Sequence, residues 1–469
     1  MKRLIILILL VLFTVVNGMG QDYALFIHGF QGGQESWLGS GTPDDWVNAG
    51  IIDDYVVIEY KMDDLKNSTT QAALVHSIAV SMAQKSSTGN WVIVGHSLGG
   101  IIARAGYPAL EAHPLLQQAD IKSVLTVGTP HQGARAAHVA LSDVTGYKNV
   151  SSTLEEFEFR VEDPLNDVHG AIEFIAQFAG DALQKIEDFP ELKQYVLDEL
   201  EFYEQASVEN NVKAIIGLEG SLIETINSGT IAEPGFKRSV IGAEKRHILP
   251  RAASERFDNG NEYGVKGNFD DGRWFYKANA NAYDASYKAS CYLTFGLYCI
   301  FDKSLKNKRD RWRRGREALD NIDGTWGVMI DSFVPEYHTT TTWVYVGCDG
   351  DGGPIITDPI PSINPLQSLG DPDCDGWEPV YNTEVVLVPT KNDVIIGPDY
   401  AVWNPNDDPN DDSGPNRYYD DVPADGGYNH FELRRHKRAY TLPGVFQQGD
   451  PAPPMQEAGD WLLEEVWDN

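Results

Sequence analysis

Cysteine and basic charge are both scarce in this chain, and long apolar runs are nearly absent. Only four cysteines occur in 469 residues: Cys291, Cys299, Cys348 and Cys374. None of them shows the spacing of a zinc site, so a zinc-bound scaffold is not expected. Lys+Arg 37 set against Asp+Glu 69 leave a formal net charge of −32. Such a surface repels a phosphate backbone, and nucleic acid is not expected as a partner. The acidity favours solubility and says little about fold. Beyond the first 20 residues, no stretch is long and apolar enough to cross a bilayer.

Those first residues read as a secretory signal peptide. Lys2 and Arg3 form a positive start, Leu4 to Val16 is apolar apart from Thr14, and Gly18 and Gly20 supply small residues for cleavage. The run is short for a membrane span, with an uncleaved signal anchor as the alternative. No Cys follows the cleavage site, so a lipid-modified N-terminus is not expected. The expected location is therefore periplasmic or extracellular. Four cysteines fit an oxidising compartment and admit three connectivities. The local pairing Cys291–Cys299 and Cys348–Cys374 is favoured.

The chemistry concentrates in Asn90-Trp91-Val92-Ile93-Val94-Gly95-His96-Ser97-Leu98-Gly99-Gly100-Ile101-Ile102-Ala103-Arg104. Trp91 to Val94 has the unbroken apolar character of a buried parallel strand. Leu98, Ile101 and Ile102 then fall on one helical stripe. Gly95-x-Ser97-x-Gly99 sits at the join, where a nucleophile elbow presents its serine. The small flanking residues let neighbouring backbones approach without a Cβ clash.

The strands alternate with helices. Asp22 to His28 reads as a first strand, ending in His28-Gly29-Phe30 and Gln31-Gly32-Gly33. That turn is placed to aim a backbone N–H at the site, so the N–H groups of Phe30 and Leu98 are the oxyanion-hole candidates. Val56 to Tyr60 is the next strand and Thr69 to Gln84 a helix. Ser123 to Gly128 follows the elbow as a strand ending in Gly128-Thr129-Pro130-His131-Gln132-Gly133. The alternation implies an α/β fold with a mostly parallel sheet and helices on both faces.

Taken together, His28-Gly29-Phe30, Gly95-His96-Ser97-Leu98-Gly99-Gly100 and Thr126-Val127-Gly128-Thr129-Pro130-His131-x-Gly133 resemble the α/β-hydrolase superfamily. Within it they are most similar to bacterial triacylglycerol lipases and GPI inositol-deacylase-like hydrolases. The resemblance covers roughly residues 22–135, and the C-terminal part in short motifs. It implies the α/β-hydrolase fold with large cap insertions. It also implies a triad in the order Ser97, Asp393, His430. Asn392-Asp393-Val394 matches the lipase acid turn except that the family's Gly is missing. Gly426-Gly427-Tyr428-Asn429-His430-Phe431-Glu432 resembles the loop presenting the histidine, and Glu432 stands where such lipases help hold calcium.

Rivals exist for two roles. Glu244 directly follows a short β-like stretch, Arg238 to Ala243, and strand ends are where catalytic groups collect. His436 lies among Arg434, Arg435, Lys437 and Arg438, where positive charge opposes an imidazolium. His28, His96 and His131 are expected to shape the oxyanion and elbow region.

The resulting division is a signal peptide 1–20, a first core part 21–135, a helical cap insertion 136–235, a core strand 236–244, a second insertion 245–382 and a C-terminal core part 383–469. In the cap, Leu165 to Ile186 and Glu191 to Val208 read as amphipathic helices. Ser221 reads as the N-cap of a further short one. The second insertion is aromatic-rich, and between Lys303 and Arg316 it carries eight basic residues. A solvated helix face is the plain reading of that run; contact with anionic headgroups is the sharper one. Asp371-x-Asp373-x-Asp375-Gly376 copies half a calcium loop, but Asn382 occupies the twelfth position. Thr383 to Val388 reads as a core strand leading to Asp393. Asn404 to Tyr419 reads as a polar loop without core residues, either disordered or cation-binding. Ala458 to Val466 closes the chain as an amphipathic helix.

The function these residues imply is a secreted, lipase-like serine hydrolase of carboxylic esters. It requires no cofactor for the chemistry, and Ca2+ is possible, with Glu432 as its candidate ligand. An ester or lipid is the expected substrate, with contact to a lipid interface; the oligomeric state is left open. The alternatives are an amide hydrolase or acyltransferase on the same triad, and a non-catalytic surface-binding protein on this fold.

Overall fold

The computed structural model describes residues 21–135, 191–195, 197–198, 212–218, 220–242, 262–293, 304–330, 333–348, 354–356, 376–389, 396, 398–407, 414–419, 430, 432–434 and 453–467. Its centre is a six-stranded sheet. The strands are β1 (Asp22–Ile27), β2 (Asp54–Ile58), β3 (Asn90–His96), β4 (Asp120–Val127), β5 (Phe236–Gly242) and β9 (Asn416–Tyr419), in the order β2-β1-β3-β4-β5-β9. Every pairing in it is parallel.

Alternation along the strands splits the core in two, because successive side chains point to opposite faces. Tyr23, Leu25, Ile27, Trp91, Ile93 and Val124 pack to one side. There they meet Leu74, Ile78 and Met82 of α3 (Ser68–Lys85), and Leu98, Ile101 and Ile102 of α4 (Leu98–Glu111). The same side receives α5 (Val212–Ile216) and α6 (Ser221–Asn227). Ala24, Phe26, Val92, Val94, Leu125 and Val127 pack to the other. That side holds Trp37 of α1 (Glu35–Leu38), Trp46 of α2 (Thr42–Asn48) and α9 (Pro454–Trp461). Two indoles tie the chain end down: Trp46 Nε1–H donates to the Met455 carbonyl and Trp467 Nε1–H to that of Ile51, each at 2.9 Å. A sheet covered on both faces explains why β1 and β3 read as nearly continuous apolar runs.

The connection pattern decides where a site can form. The chain goes from β1 outward to β2 and then returns to the other side of β1 as β3. A crevice opens at such a reversal, beyond the C-terminal ends of the strands. Here it lies between the ends of β1 and β3, where Ile27 pairs with Gly95.

A second sheet is antiparallel, in the order β7-β6-β8, with β6 (Phe333–Cys348), β7 (Pro354–Ile356) and β8 (Gly376–Pro389). It accompanies two long helices, α7 (Glu262–Leu293) and α8 (Ser304–Met329). These run antiparallel. Arg273 pairs with Asp320 and Asp323, the Tyr276 ring lies 5.3 Å from that of Trp312, and Arg309 meets Asp284 at 3.0 Å.

Several sequence expectations need correction. The strand over 383–388 exists within β8, but it pairs with β6 and is no part of the parallel sheet. Local β-propensity does not say which sheet a strand joins. The stretch 404–419 was expected to lack core residues, yet it ends in β9, with Asn416 and Tyr419 buried against β5. Its Asp and Asn content hid a strand of four residues. Ser221 opens α6 as its first helical residue; the cap is Gly220, with no side-chain capping bond. Arg309, in the middle of the basic run, is buried in ion pairs with Asp284 and Asp310 rather than solvated. The C-terminal helix starts earlier than expected, at Pro454, and widens into a π-helical turn over Leu462–Val466. Residues 1–20, the helix expected over 165–186, and the calcium-like 371–375 lie outside the described residues.

Candidate active site

Ser97 is positioned by the turn between β3 and α4. Its φ of 54° and ψ of −125° lie outside the ordinary regions for an L-residue. The turn is held by its neighbours: Ser97 N–H donates to Val127 O at 2.8 Å, and Gly100 N–H to Ser97 O at 3.0 Å. As the residue preceding α4, Ser97 makes no side-chain capping bond, although serine is a preferred cap. Its side chain is partly exposed while Leu98, Gly99 and Gly100 are buried. The glycines permit this crowding. A Cβ on Gly95 would stand 2.4 Å from Gly100 Cα, and one on Gly99 would stand 2.4 Å from the carbonyl oxygens of Ile27 and His28.

The turn after β1 comes up against the serine. A Cβ on Gly29 would lie 2.8 Å from Ser97 Cβ and 3.1 Å from His96 Nδ1. Gly32 N–H donates to Gly29 O at 3.1 Å, and Gln31 takes a φ of 52°. Positive φ at the third position is what a type II turn requires. This strained turn carries Phe30, half-buried on the α4 side of the core.

His430 arrives from beyond β9. It is buried, and its ring centroid lies 4.7 Å from that of His96, the residue before Ser97. His96 Nε2–H donates to the His430 carbonyl at 2.9 Å. The following 3-10 turn (Glu432–Arg434) is clamped: Leu433 is fully buried, Arg434 Nη1 donates to Ser36 O, and Thr42 Oγ1 donates to Arg434 O. The fold thus brings Gly29, His96, Ser97 and His430 together at the crevice. Burial chiefly, with Arg434 and His430 adding to it, drives the His96 pKa well below the usual histidine range. His96 is a neutral donor whose bond fixes the backbone of His430.

The other two histidines are also occupied. His28 Nδ1–H donates to Gly29 O at 2.8 Å and its Nε2 accepts from Tyr60 N–H at 3.4 Å, while the ring stacks on Tyr60 at 4.4 Å. Burial lowers its pKa. His131 Nδ1 faces Arg104 Nη1 at 3.5 Å, so its Nε2–H donates to Thr126 Oγ1 at 2.9 Å. Burial and then the Arg104 charge push its pKa well down.

Sequence reasoning missed the network around Arg104. This buried guanidinium donates to Trp403 O and Glu233 Oε1, both at 2.7 Å, and lies 4.7 Å from the Trp403 ring centroid. Lys237 also pairs with Glu233, and Trp403 N–H donates to Asn416 Oδ1 at 3.0 Å. The pairs join α4, the end of β4, β5 and β9 behind the site. The available signal was a charge, Arg104, directly after the apolar Ile101-Ile102-Ala103 on a helix whose stripe faces the core.

Asp393, Glu244 and His436 lie outside the described residues, and so does the side chain of Glu432. Three positions after Asp393 in the sequence, Ile396 packs with Ile241 of β5, Ala401 and Val402. Ser239 Oγ donates to Ala401 O at 3.1 Å. Among the described residues no cluster of three or more His, Cys, Asp or Glu side chains is placed to hold a metal.

Residues 64–169 match the family model of the PGAP1-like alpha/beta domain. That span includes α3, β3, the Ser97 turn, α4 and β4. No curated protein matches. Among solved structures the chain is similar to phospholipase PlaB from Legionella pneumophila in complex with thio-NAD, at 17% identity and a TM-score of 0.22 over 27% of this chain and 29% of that one. It is similar to a cutinase-like protein from Cryptococcus sp. at 16% identity and a TM-score of 0.19, over 24% and 56% of the two chains. It is also similar to epoxide hydrolases of the alpha/beta hydrolases superfamily from metagenomes of hot environments, at 16% identity and a TM-score of 0.19, over 47% and 72%. The match thus spans less than a third of the phospholipase's length and little over half of the cutinase-like protein's.

Proposed function

We propose that this chain, an α/β-hydrolase by fold, is a secreted serine hydrolase that cleaves carboxylic esters with lipase-like chemistry. One observation carries the reading: Ser97, strained at φ 54° in the crevice between β1 and β3, with its hydroxyl unused as a cap and His430 alongside through His96. Serine is a weak nucleophile and needs a base, and the base needs an acid to fix its tautomer. In the proposed reaction Ser97 Oγ attacks the ester carbonyl carbon while His430 takes its proton. The N–H groups of Phe30 and Leu98 stabilise the oxyanion; Leu98 stands in the first turn of α4, where N–H groups have no intrahelical acceptor. His430 passes the proton to the leaving alcohol. Water then attacks the acyl-Ser97 carbonyl, giving up its proton to His430, which returns it to Ser97 Oγ as the acyl–oxygen bond breaks and the acid is released. Asp393 orients His430. The sequence needs no redox cofactor or metal ion.

The test is labelling and turnover. Full-length protein is expected to react with a fluorophosphonate probe at Ser97 and to hydrolyse a chain-length series of p-nitrophenyl esters faster than matched amides. Ser97→Ala should abolish both. Faster amide cleavage, or transfer to an added alcohol in preference to water, would move the reading to an amidase or an acyltransferase. Absence of labelling in a protein that unfolds cooperatively would overturn it.

A further inference from the structure

The far end of the α7–α8 hairpin is built unlike the rest of this acidic molecule. α7 ends in Tyr292 and Leu293, which are 79% and 75% exposed. Apolar side chains so exposed are not core, and the pair is held in place: Cys291 just before it is buried and disulfide-bonded. The sequence joining the two helices, Thr294-Phe295-Gly296-Leu297-Tyr298-Cys299-Ile300-Phe301, continues the same apolar and aromatic composition. Beside this end, because the helices are antiparallel, α8 begins. Between residues 303 and 316 the chain carries eight basic residues and one acid, Asp310, within a molecule of net charge −32.

Part of that charge is structural. Arg309 is consumed by Asp284 and Asp310, and Arg316 by Asp320. Lys306, Arg313 and Arg314 make no ion pair among the described residues, and Arg313 and Arg314 are exposed. Lys308 lies 5.8 Å from the Tyr283 ring centroid with its charge still unneutralised. Lys306 and Lys308 also oppose the macrodipole, which disfavours cations at a helix N-terminus. Helix stability therefore does not account for them. At about 1.5 Å per residue, Lys306 and Lys308 lie roughly one turn from the start of α8, and Arg313 and Arg314 about 14 Å from it.

We propose that this end of the hairpin docks on an anionic phospholipid bilayer. Tyr292 and Leu293 enter the interface, where an amphipathic tyrosine ring is favoured. Lys306, Lys308, Arg313 and Arg314 meet the lipid phosphates behind them. A basic collar over an apolar tip matches a bilayer surface in both layers, headgroup and acyl boundary. The inference is independent of the ester-hydrolase reading, since binding is measured whether or not any ester is cleaved.

The experiment is co-sedimentation of the full chain with vesicles of phosphatidylcholine alone or mixed with phosphatidylserine, alongside hydrolysis of a soluble short-chain p-nitrophenyl ester. Wild type should bind the mixed vesicles at least about tenfold more tightly than the neutral ones, and less tightly as salt rises. Tyr292→Ser with Leu293→Ser should lose binding to both. The surface triple Lys306→Glu, Arg313→Glu, Arg314→Glu should lose only the anionic preference. Both should retain the soluble-ester rate of wild type, which also reports folding. Equal binding by wild type and triple variant would overturn the proposal. So would an absence of vesicle binding by wild type, including one accompanied by concentration-dependent self-association at this face. No ester hydrolysis by wild type would refute the hydrolase reading alone and leave the vesicle result standing.

Discussion

Ser97 holds a backbone conformation that costs of order 1–3 kcal/mol in a residue with a Cβ. A glycine there would relieve that cost, whereas an alanine would keep it. Stability and activity can therefore be separated at one position. Ser97→Gly should raise the midpoint of thermal unfolding by about 2–4 °C per kcal/mol relieved, and Ser97→Ala should leave it unchanged. Both should lose ester hydrolysis by several orders of magnitude, as loss of a catalytic nucleophile does. Differential scanning calorimetry beside a p-nitrophenyl ester assay reads the two effects, and equal midpoints for the two variants would remove the strain from the argument. The neighbouring Gly29 makes the complementary case. An added Cβ would stand 2.8 Å from Ser97 Cβ, so either the serine or the Phe30 turn must shift. A displacement near 1 Å costs about a hundredfold in rate. Gly29→Ala is thus expected to lower kcat about that much and, by forcing this shift, to lower the unfolding midpoint by a few degrees.

The elements of the core were legible for a definite reason, and the insertions were not for an equally definite one. β1, β3 and β4 are buried on both faces, so their sequences advertise them, and the elbow glycines sit where backbones touch. The short β9 carries Asn416 and Arg417 in an Asp-rich setting, and its partner β5 lies over 170 residues earlier, beyond any local pattern. The strand over 383–388 misled because a β-propensity run says nothing about its partner, which is β6. Packing against β5, rather than that strand, locates the segment around residue 396. The chain leaves the sheet at Gly242, and by Ile396 it is back against Ile241. The long excursion between them is spliced in at the C-terminal end of β5. Both acids lie in the sequence between Gly242 and Ile396, so chain order does not discriminate them, and the resemblance of Asn392-Asp393-Val394 to the lipase turn favours the later one. The acid orients and stabilises the histidine, so its amide should keep the fold and cost up to about ten-thousandfold in turnover. Asp393→Asn is expected to be that severe, and Glu244→Gln to retain most activity, both with unchanged unfolding midpoints. The opposite ranking in kcat would assign the acid to Glu244.

At the scale of the whole molecule, three buried histidines at three different strand ends set the response to acid. His28 follows β1, His96 ends β3 and His131 follows β4, and burial lowers the pKa of each, of His96 and His131 most. The two strongly shifted groups, His96 and His131, therefore take up protons when the chain unfolds below the unfolded-state pKa of about 6.5, and His28 takes up a smaller share. Linkage sets the sign: the unfolded state binds more protons, so stability rises with pH through this window and is lost as pH falls below it. Each proton taken up on unfolding contributes a slope of about 1.4 kcal/mol per pH unit, so His96 and His131 together approach about 3. A competing effect has the opposite sign. The net charge of −32 repels itself, and acidification relieves it. Ordinary carboxylates titrate near pH 4, however, so that relief is small between pH 6.5 and 5, and the histidines dominate there. Urea unfolding at pH 7, 6 and 5 should accordingly show stability falling at both steps, the second step about twice the first. His131→Gln keeps a side chain able to hydrogen-bond Thr126 but removes one of the two strongly shifted groups, so it should roughly halve the slope below pH 6. A slope unchanged by that substitution would transfer the acid sensitivity to carboxylates. A slope of the opposite sign would make charge repulsion the governing term.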